Sequence, residues 1–501
     1  MVGKCFKKTA WAGLLVLLCF SLFLPSARAE EAPDWEKGAL SAQSGELDRS
    51  SFSDGSAYLN EATAVQTVRI GLRYEDTAAY EAVLENLSGG GFAFGRYDAD
   101  RNFVEFDRCA DSAIMVIGYG ENPIWHILLN ARFENREEAE IVAELYGGQV
   151  IRLGEYDRVF FEAYRKWDDA YEEIREYELG ARPFADAAPA LRVVSLRDSR
   201  ILYRPEDVWE ELAVLPLSES GETLTAFRDE IYRGGFAFRL FENDRLTVIN
   251  SVGLEDYVKG VIPYEMDPAW PLEALRAQAV CARTYVVYNQ NAYEPYGFDL
   301  TDNTECQVYK GCREANAITD YAAESTANQL IRYQGEICEI YYFAADGGST
   351  EDGIHVFQAE RPYLSGKLDP FERTVDYPLR SWEVRYNGAA IAALLQRRGY
   401  EIGPIRELTP SYSENGNVIA ITFLDESGTS LRIEDRPCYT SLRLNSCHFT
   451  VAKDGEEFVF SGGGLGHSCG LSQWGAYAMA LNYHYNYEDI IRFYYTGAYI
   501  A

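Results

Sequence analysis

Positive charge is what this sequence has least of: 46 lysines and arginines face 78 aspartates and glutamates over 501 residues, a net charge of −32. A chain of that sign repels a phosphate backbone, so nucleic acid is excluded as a partner, and solubility outside the cell is the ordinary use of such charge. Long apolar runs are also missing. Beyond residue 24 no stretch approaches the roughly 18 uninterrupted apolar residues of a membrane span. Histidine is scarce at 5 residues, and "DLTDNTECQVYKGC", which holds Cys306 and Cys312, contains none. Two cysteines alone do not make a four-ligand zinc site, so no metal and no cofactor is expected.

The N-terminus is the exception to both shortages. Lys4, Lys7 and Lys8 precede an apolar run from Trp11 to Leu24, and Ala27-Arg28-Ala29 stands before Glu30. This is the pattern of a secretory signal with an A-x-A cleavage site, and it predicts a signal peptide over 1–29 and a secreted, extracytoplasmic protein. Leu18 is too bulky for a lipoprotein site at Cys19. A membrane enters only if the signal stays uncleaved as an anchor. Eight cysteines follow the signal. Cys306 with Cys312 and Cys438 with Cys447 are the pairs to try first as disulfides, although spacing does not fix connectivity. Cys281, among small residues, reads as a packed thiol.

The length exceeds what one core usually serves. Residues 30–65, rich in Ser, Gly and acids, read as a solvated linker, and 66–121 as a strand-rich segment. Within it a hairpin turns at Tyr97–Asn102. Asp98, Asp100 and Asn102 imitate a calcium loop, but Phe103 replaces the needed glycine, so a polar turn is expected. Residues 122–165 run strand, helix (about Asn135 to Leu145), Gly147-Gly148 stop, strand, strand. That order resembles the SPOR domain, a module that binds denuded peptidoglycan glycan; an unrelated α+β insert is the alternative. A charged helical tract and the linker "ARPFADAAPA" occupy 166–190, and continuous patterning fills 191–501. The predicted class is α+β, mixed and strand-rich, with packed helices.

"YVKGVIPYEMDPAWPLEALRAQAVCARTYVVYNQN" opens as an apolar, strand-like run and continues as a helix over Pro271–Asn289, beginning near Trp270 because prolines belong in a first turn. Glu265 is thereby placed at a strand-to-helix junction, where a side chain is held yet open to a ligand. Leu272, Leu275, Ala279, Ala282 and Val286 form the helix's core face. Glu273, Arg276 and Arg283 fall on another side, with Glu273 and Arg276 read as a solvated ion pair. A second helix is expected over Gly475–Asn482. The glycine-rich "DGGSTED" and "SGGGLGHSCGLSQWGA" let backbone approach a ligand or simply turn between strands.

These stretches, with "YRGGFAF", "VINSVGLEDYVKGVIPYEM", "CQVYKG" and "RPYLSGKLDPFE", resemble in order and spacing the SpoIID/LytB family of stage II sporulation protein D and the amidase enhancers, over about 190–501. The resemblance implies lytic cleavage of denuded peptidoglycan glycan strands in cell-wall remodelling during sporulation, with Glu265 as the single catalytic acid and then base. It implies substrate-lining roles for Arg283, Tyr285, Gln307, Tyr309, Gly348, Thr350, His467, Ser472 and Gln473, and wall association. A structural His467 remains the alternative for that residue. Ser468 and Cys469 depart from the family's usual residues. One physical objection attaches to Glu265: the N-terminus of a following helix would lower the pKa that a general acid needs raised, while desolvation by Tyr264, Met266 and Trp270 would oppose that effect. The rival implication is a non-catalytic wall-binding regulator that enhances a cell-wall amidase.

Overall fold

A computed structural model describes residues 66–118, 124–153, 156–176, 180–186, 191–203, 211–219, 221–241 and 245–501. The expected signal peptide and the linker over 30–65 lie outside the described residues. The chain divides into two units, a smaller one drawn from 121–187 and a larger one from 58–120 and 188–501.

The larger unit opens with β1 (Thr67–Arg73), β2 (Glu81–Asn86), β3 (Phe92–Tyr97), β4 (Phe103–Cys109) and β5 (Ala113–Ile117). The smaller unit then interrupts it with β6 (Ile124–Leu129), α1 (Arg136–Tyr146), β7 (Gln149–Leu153), β8 (Tyr156–Tyr164), α2 (Trp167–Glu176) and β9 (Ala181–Asp186). Its strands pair antiparallel in the order β7-β8-β6-β9. This is the βαββαβ arrangement of a split βαβ domain. Asn135 caps α1 by accepting from Glu137 N, and Gly147 ends it in the left-handed region at φ 64. The linker expected at "ARPFADAAPA" is corrected: Ala181–Asp186 is an edge strand paired with β6, so the unit runs past residue 165. Its proline is tolerated because an edge strand has one unpaired side.

The larger unit resumes with β10 (Arg192–Ser195), β11 (Ile201–Tyr203), β12 (Leu212–Pro216), β13 (Leu224–Phe227), β14 (Glu230–Arg233), β15 (Gly235–Phe241) and β16 (Arg245–Gly253). Then come α3 (Leu254–Glu265), α4 (Leu272–Tyr288), β17 (Leu300–Thr301) and α5 (Ala317–Glu324). Strands from 66–117 and from 192–253 share two sheets, β17-β1-β16-β15-β12-β3-β4 and β11-β10-β5-β2-β13-β14. The segment 66–121 is therefore not a separate body. Alternating residues such as Val68, Ile70, Leu84, Phe92, Phe94, Val116, Val214, Phe236 and Val248 fill one core with α3 and α4. Asp98 Oδ1 accepts from the amides of Asp100 and Asn102 between β3 and β4, the expected polar turn.

A second core lies at 382–460, where two three-stranded sheets pack with α6 (Gly388–Gln396). The chain closes with α7 (Gln473–Tyr483) and α8 (Tyr487–Tyr494). α4 is the hub, packed by α3, α5, α7 and α8. It is buried on nearly every side, Ala277, Gln278, Arg283 and Thr284 included, rather than along one face. The eight described cysteines are free thiols, so neither trial disulfide forms. Cys438 Sγ points at the Val418 carbonyl (3.8 Å), and Cys306 Sγ accepts from Thr301 N (3.4 Å). Cys281 is packed in the core, as its neighbours suggested. No described helix is long and apolar enough to cross a membrane.

Candidate active site

The strand-like reading of "LEDYVKGVIPYE" is corrected by α3. Leu254, Tyr257, Val258, Val261 and Ile262 are all buried, a spacing of three and four that belongs to a helix. β-branched residues disguised it, and Pro263 falls in the last turn. There Met266 N still reaches Ile262 O, and extended backbone at Met266 ends the helix. Glu265 is thus the last residue of α3, ahead of a short connection to α4. The expected helix N-terminus at Glu265 is replaced by a C-terminus, whose partial negative charge opposes the carboxylate instead of favouring it.

Three separated motifs converge on Glu265. Val308 N, from "CQVYKG", donates to Oε1 at 2.9 Å. Gln473 Nε2, from the first residue of α7, donates to Oε2 at 3.1 Å. The Tyr342 hydroxyl lies beside the carboxyl and donates to Gln307 Oε1 at 2.8 Å, while Gln307 Nε2 reaches Tyr257 Oη at 3.3 Å. Gly260 explains the close approach: a Cβ there would stand 2.5 Å from the Tyr309 ring and 2.7 Å from Gly311 O. Only a residue without a side chain lets the loop bearing Val308 rest on α3. Glu265 is half-buried, and desolvation pushes its pKa up, against the lowering effect of Val308, Gln473 and Tyr342.

Aromatic rings flank the site. Trp270 packs on Trp474 and Tyr477 with centroids 4.6 and 4.8 Å apart, and Tyr377 stacks on Trp474 at 5.6 Å. All four keep some exposure. Sequence reasoning weighed Trp270 only as an apolar neighbour of Glu265 and passed over Trp474, Tyr477 and Tyr377, although Trp474 follows Gln473 in the chain. A cleft of about 870 Å³, lined by Gly347, Arg380, Trp382, His448, Thr450 and Ser461, does not include Glu265.

Of the residues expected to line substrate, Gln307 and Gln473 join Glu265 and the others hold the scaffold. Arg283, expected at the substrate, is fully buried and pairs with Glu255 through Nε (2.8 Å) and Nη2 (2.6 Å). Tyr309 is buried with its hydroxyl donating to Asn250 Oδ1 (2.7 Å). Tyr285 lies against Cys306. Gly348 N donates to Asp346 Oδ1 (2.7 Å) and Thr350 Oγ1 accepts from Lys367 N (3.0 Å), both fastening the "DGGST" turn. Ser472 caps α7 and donates to Glu372 Oε2 (2.6 Å). His467 takes its structural reading: Nε2 meets the Tyr342 carbonyl (3.0 Å), Nδ1 accepts from Cys469 N (3.2 Å), and burial lowers its pKa to about 3. Glu273 and Arg276 pair at 2.7 Å, but partly buried, with Glu273 also accepting from Tyr487 N.

The stage II sporulation protein family, SpoIID, matches residues 242–333, the stretch that carries α3, α4 and the Val308 loop. An uncharacterised protein of Brachyspira hyodysenteriae is 33% identical over 291 residues, covering 56% of this chain and 74% of that protein. The amidase enhancer of Bacillus subtilis is 29% identical over 286 residues, covering 48% of this chain and 39% of the enhancer. Stage II sporulation protein D of the same organism is 29% identical over 276 residues, covering 50% and 76%.

Proposed function

Because the chain belongs to the SpoIID/LytB family, we propose that it is an exported cell-wall enzyme, a lytic transglycosylase that cleaves peptidoglycan glycan strands through Glu265. The observation that carries this reading is the setting of that carboxyl: raised in pKa by burial, ending a helix, and aimed by two donors from distant motifs. A carboxyl whose pKa is raised keeps its proton to higher pH and is better placed to protonate a leaving oxygen.

In the first half of the reaction Glu265 gives its proton to the glycosidic oxygen as the bond from muramyl C1 to that oxygen breaks. In the second half the carboxylate takes the proton of the C6 hydroxyl, whose oxygen bonds to C1. The proton ends on the leaving sugar and no water is consumed. An attacking group already on the sugar removes much of the entropic cost of recruiting one. One carboxyl therefore suffices where most glycosidases need two. Of the two candidates for a second carboxylate, Glu351 is 2% exposed with its Oε2 accepting from the Ser413 hydroxyl, and Asp352, partly exposed, accepts from Gly366 N at 2.8 Å. Trp270, Trp474, Tyr477 and Tyr377 offer flat apolar faces of the kind sugar rings pack on. The βαββαβ unit supports a SPOR-like glycan-binding role beside the catalytic one.

The full chain incubated with peptide-free glycan strands should release fragments ending in 1,6-anhydro-N-acetylmuramic acid, lighter by one water than hydrolytic ends in a mass spectrum. Activity should fall as pH rises through the Glu265 pKa, at higher pH than an ordinary glutamate would give. Glu265→Gln keeps the shape without the proton and should abolish release. Reducing muramyl ends would make the protein a hydrolase. Intact strands together with stimulation of an added amidase would make it the enhancer that one relative is named for.

A further inference from the structure

The "DGGST" turn and the segment Asp369–Glu372 bury three carboxylates together. Asp346, Asp369 and Glu372 are each 2% exposed or less, and one oxygen of each lies within 4.8 Å of the others. The groups that bond to them among the described residues are neutral. Asp346 Oδ1 accepts from Gly348 N, and Asp369 accepts from Phe371 N and from the Tyr494 hydroxyl (2.6 Å). Glu372 accepts from the amides of Asp346 and Gly347 and from the hydroxyls of Tyr377 and Ser472.

One oxygen is left over. Asp346 Oδ2 is buried with no N–H or O–H donor reaching it, and the only groups it faces are the carboxyls of Asp369, against which it lies within hydrogen-bonding reach, and Glu372. Neutral donors orient toward negative charge without cancelling it, and buried carboxylates with no counter-charge are among the costliest arrangements in a protein. What completes this cluster is positive and small enough to stand between carboxylate oxygens, a metal cation or protons shared among the three carboxyls.

We propose that Asp346, Asp369 and Glu372 form a binding site for one hard divalent cation of the calcium class. The side-chain donors are all oxygens, which suits calcium and not the nitrogen and sulfur preference of zinc. Oxygens on opposite sides of a calcium ion stand roughly 4.6–5.2 Å apart, twice the usual bond length, in keeping with the spread of this cluster. Magnesium holds several of its waters, which a sealed pocket excludes. The expectation of no metal rested on Cys306 and Cys312, and this cluster lies elsewhere in the sequence. Its consequence reaches the active site, because Glu372 also holds Ser472, the cap before Gln473. The cation would fix the end of α7 that aims Glu265.

The test needs no glycan cleavage. Full-length protein stripped with EGTA is titrated with calcium chloride by calorimetry, with thermal unfolding followed in parallel. One calcium should bind per chain, the unfolding midpoint should rise with calcium, and Asp346→Asn should weaken binding by about tenfold or more. In the stripped state Asp346→Asn should unfold no earlier than wild type, because it removes a buried charge; mere structural damage would do the opposite. Failure of wild type to bind calcium at millimolar concentration would mean that the carboxylates share protons, and would overturn the proposal. Equal calcium affinity in Asp346→Asn would overturn it too. If that variant does not fold, the wild-type titration decides alone.

Discussion

Two half-buried side chains show how environment sets chemistry at the residue scale. Glu265 and His467 both come from glycine-bearing motifs that look catalytic, yet burial raises the first and lowers the second. For a carboxyl that means a proton kept to higher pH, and for an imidazole a proton refused. His467 is already spent on the Tyr342 carbonyl and the Cys469 amide. Its folded pKa of about 3 lies below the ordinary value of 6.5, so its contribution to stability is present above pH 6.5 and is lost as pH falls toward 3. The loss runs at up to about 1.4 kcal/mol per pH unit. His467→Gln keeps a donor and an acceptor and cannot take the proton. In denaturant melts between pH 7 and pH 4 the variant should lose less stability than wild type, while glycan cleavage stays near normal. A variant that tracks wild type through that window would return His467 to the surface.

At the scale of elements the site depends on α4 being buried all round. Arg283 projects from it and joins α3 through Glu255, and it donates to Ala323 O of α5 at 3.1 Å and to Gln329 O at 3.4 Å. Three segments are fastened by one guanidinium with 0% exposure. Arg283→Met takes the buried cation from Glu255 and one donor each from Ala323 O and Gln329 O, a change that should cost about 3 kcal/mol or more. Because the side chain is fully buried, KM for glycan should stay unchanged in conditions where the variant is folded. Urea titration measures the first and steady-state kinetics the second; a raised KM with normal stability would restore the substrate-binding role.

The whole molecule is one unit interrupted by another, and the point of interruption is a hairpin. Ile117, the last residue of β5, pairs with Arg192, the first of β10, in an antiparallel ladder. The chain leaves and returns at adjacent positions, so a short turn can replace everything between. Substituting a four-residue glycine-containing turn for residues 118–191 should leave the larger unit folded, with its cooperative melt and its glycan cleavage retained. Co-sedimentation with denuded glycan should weaken if the inserted unit binds strands. Undiminished retention would leave the insert without a glycan role, and loss of the cooperative melt would show that the larger unit needs it.

Sequence alone settled what local physics controls. Asn135 and Gly147 bounded α1, the prolines before Leu272 set the start of α4 within two residues, and Asp98 made its own turn. The order of motifs named the family and singled out Glu265. Three things escaped, each because it depends on residues distant in the chain. α3 read as a strand since its valines and isoleucine favour either element, and only packing against β16 and α4 chose the helix. Strands β1, β2 and β3 found partners more than a hundred residues away, with nothing in either run to announce the match. The sides of α4 could not be sorted into core and solvent, because four other helices surround it and Arg283 was buried by them. Tertiary structure decided those points, since burial belongs to the assembled neighbours of a residue and not to its own place in the sequence.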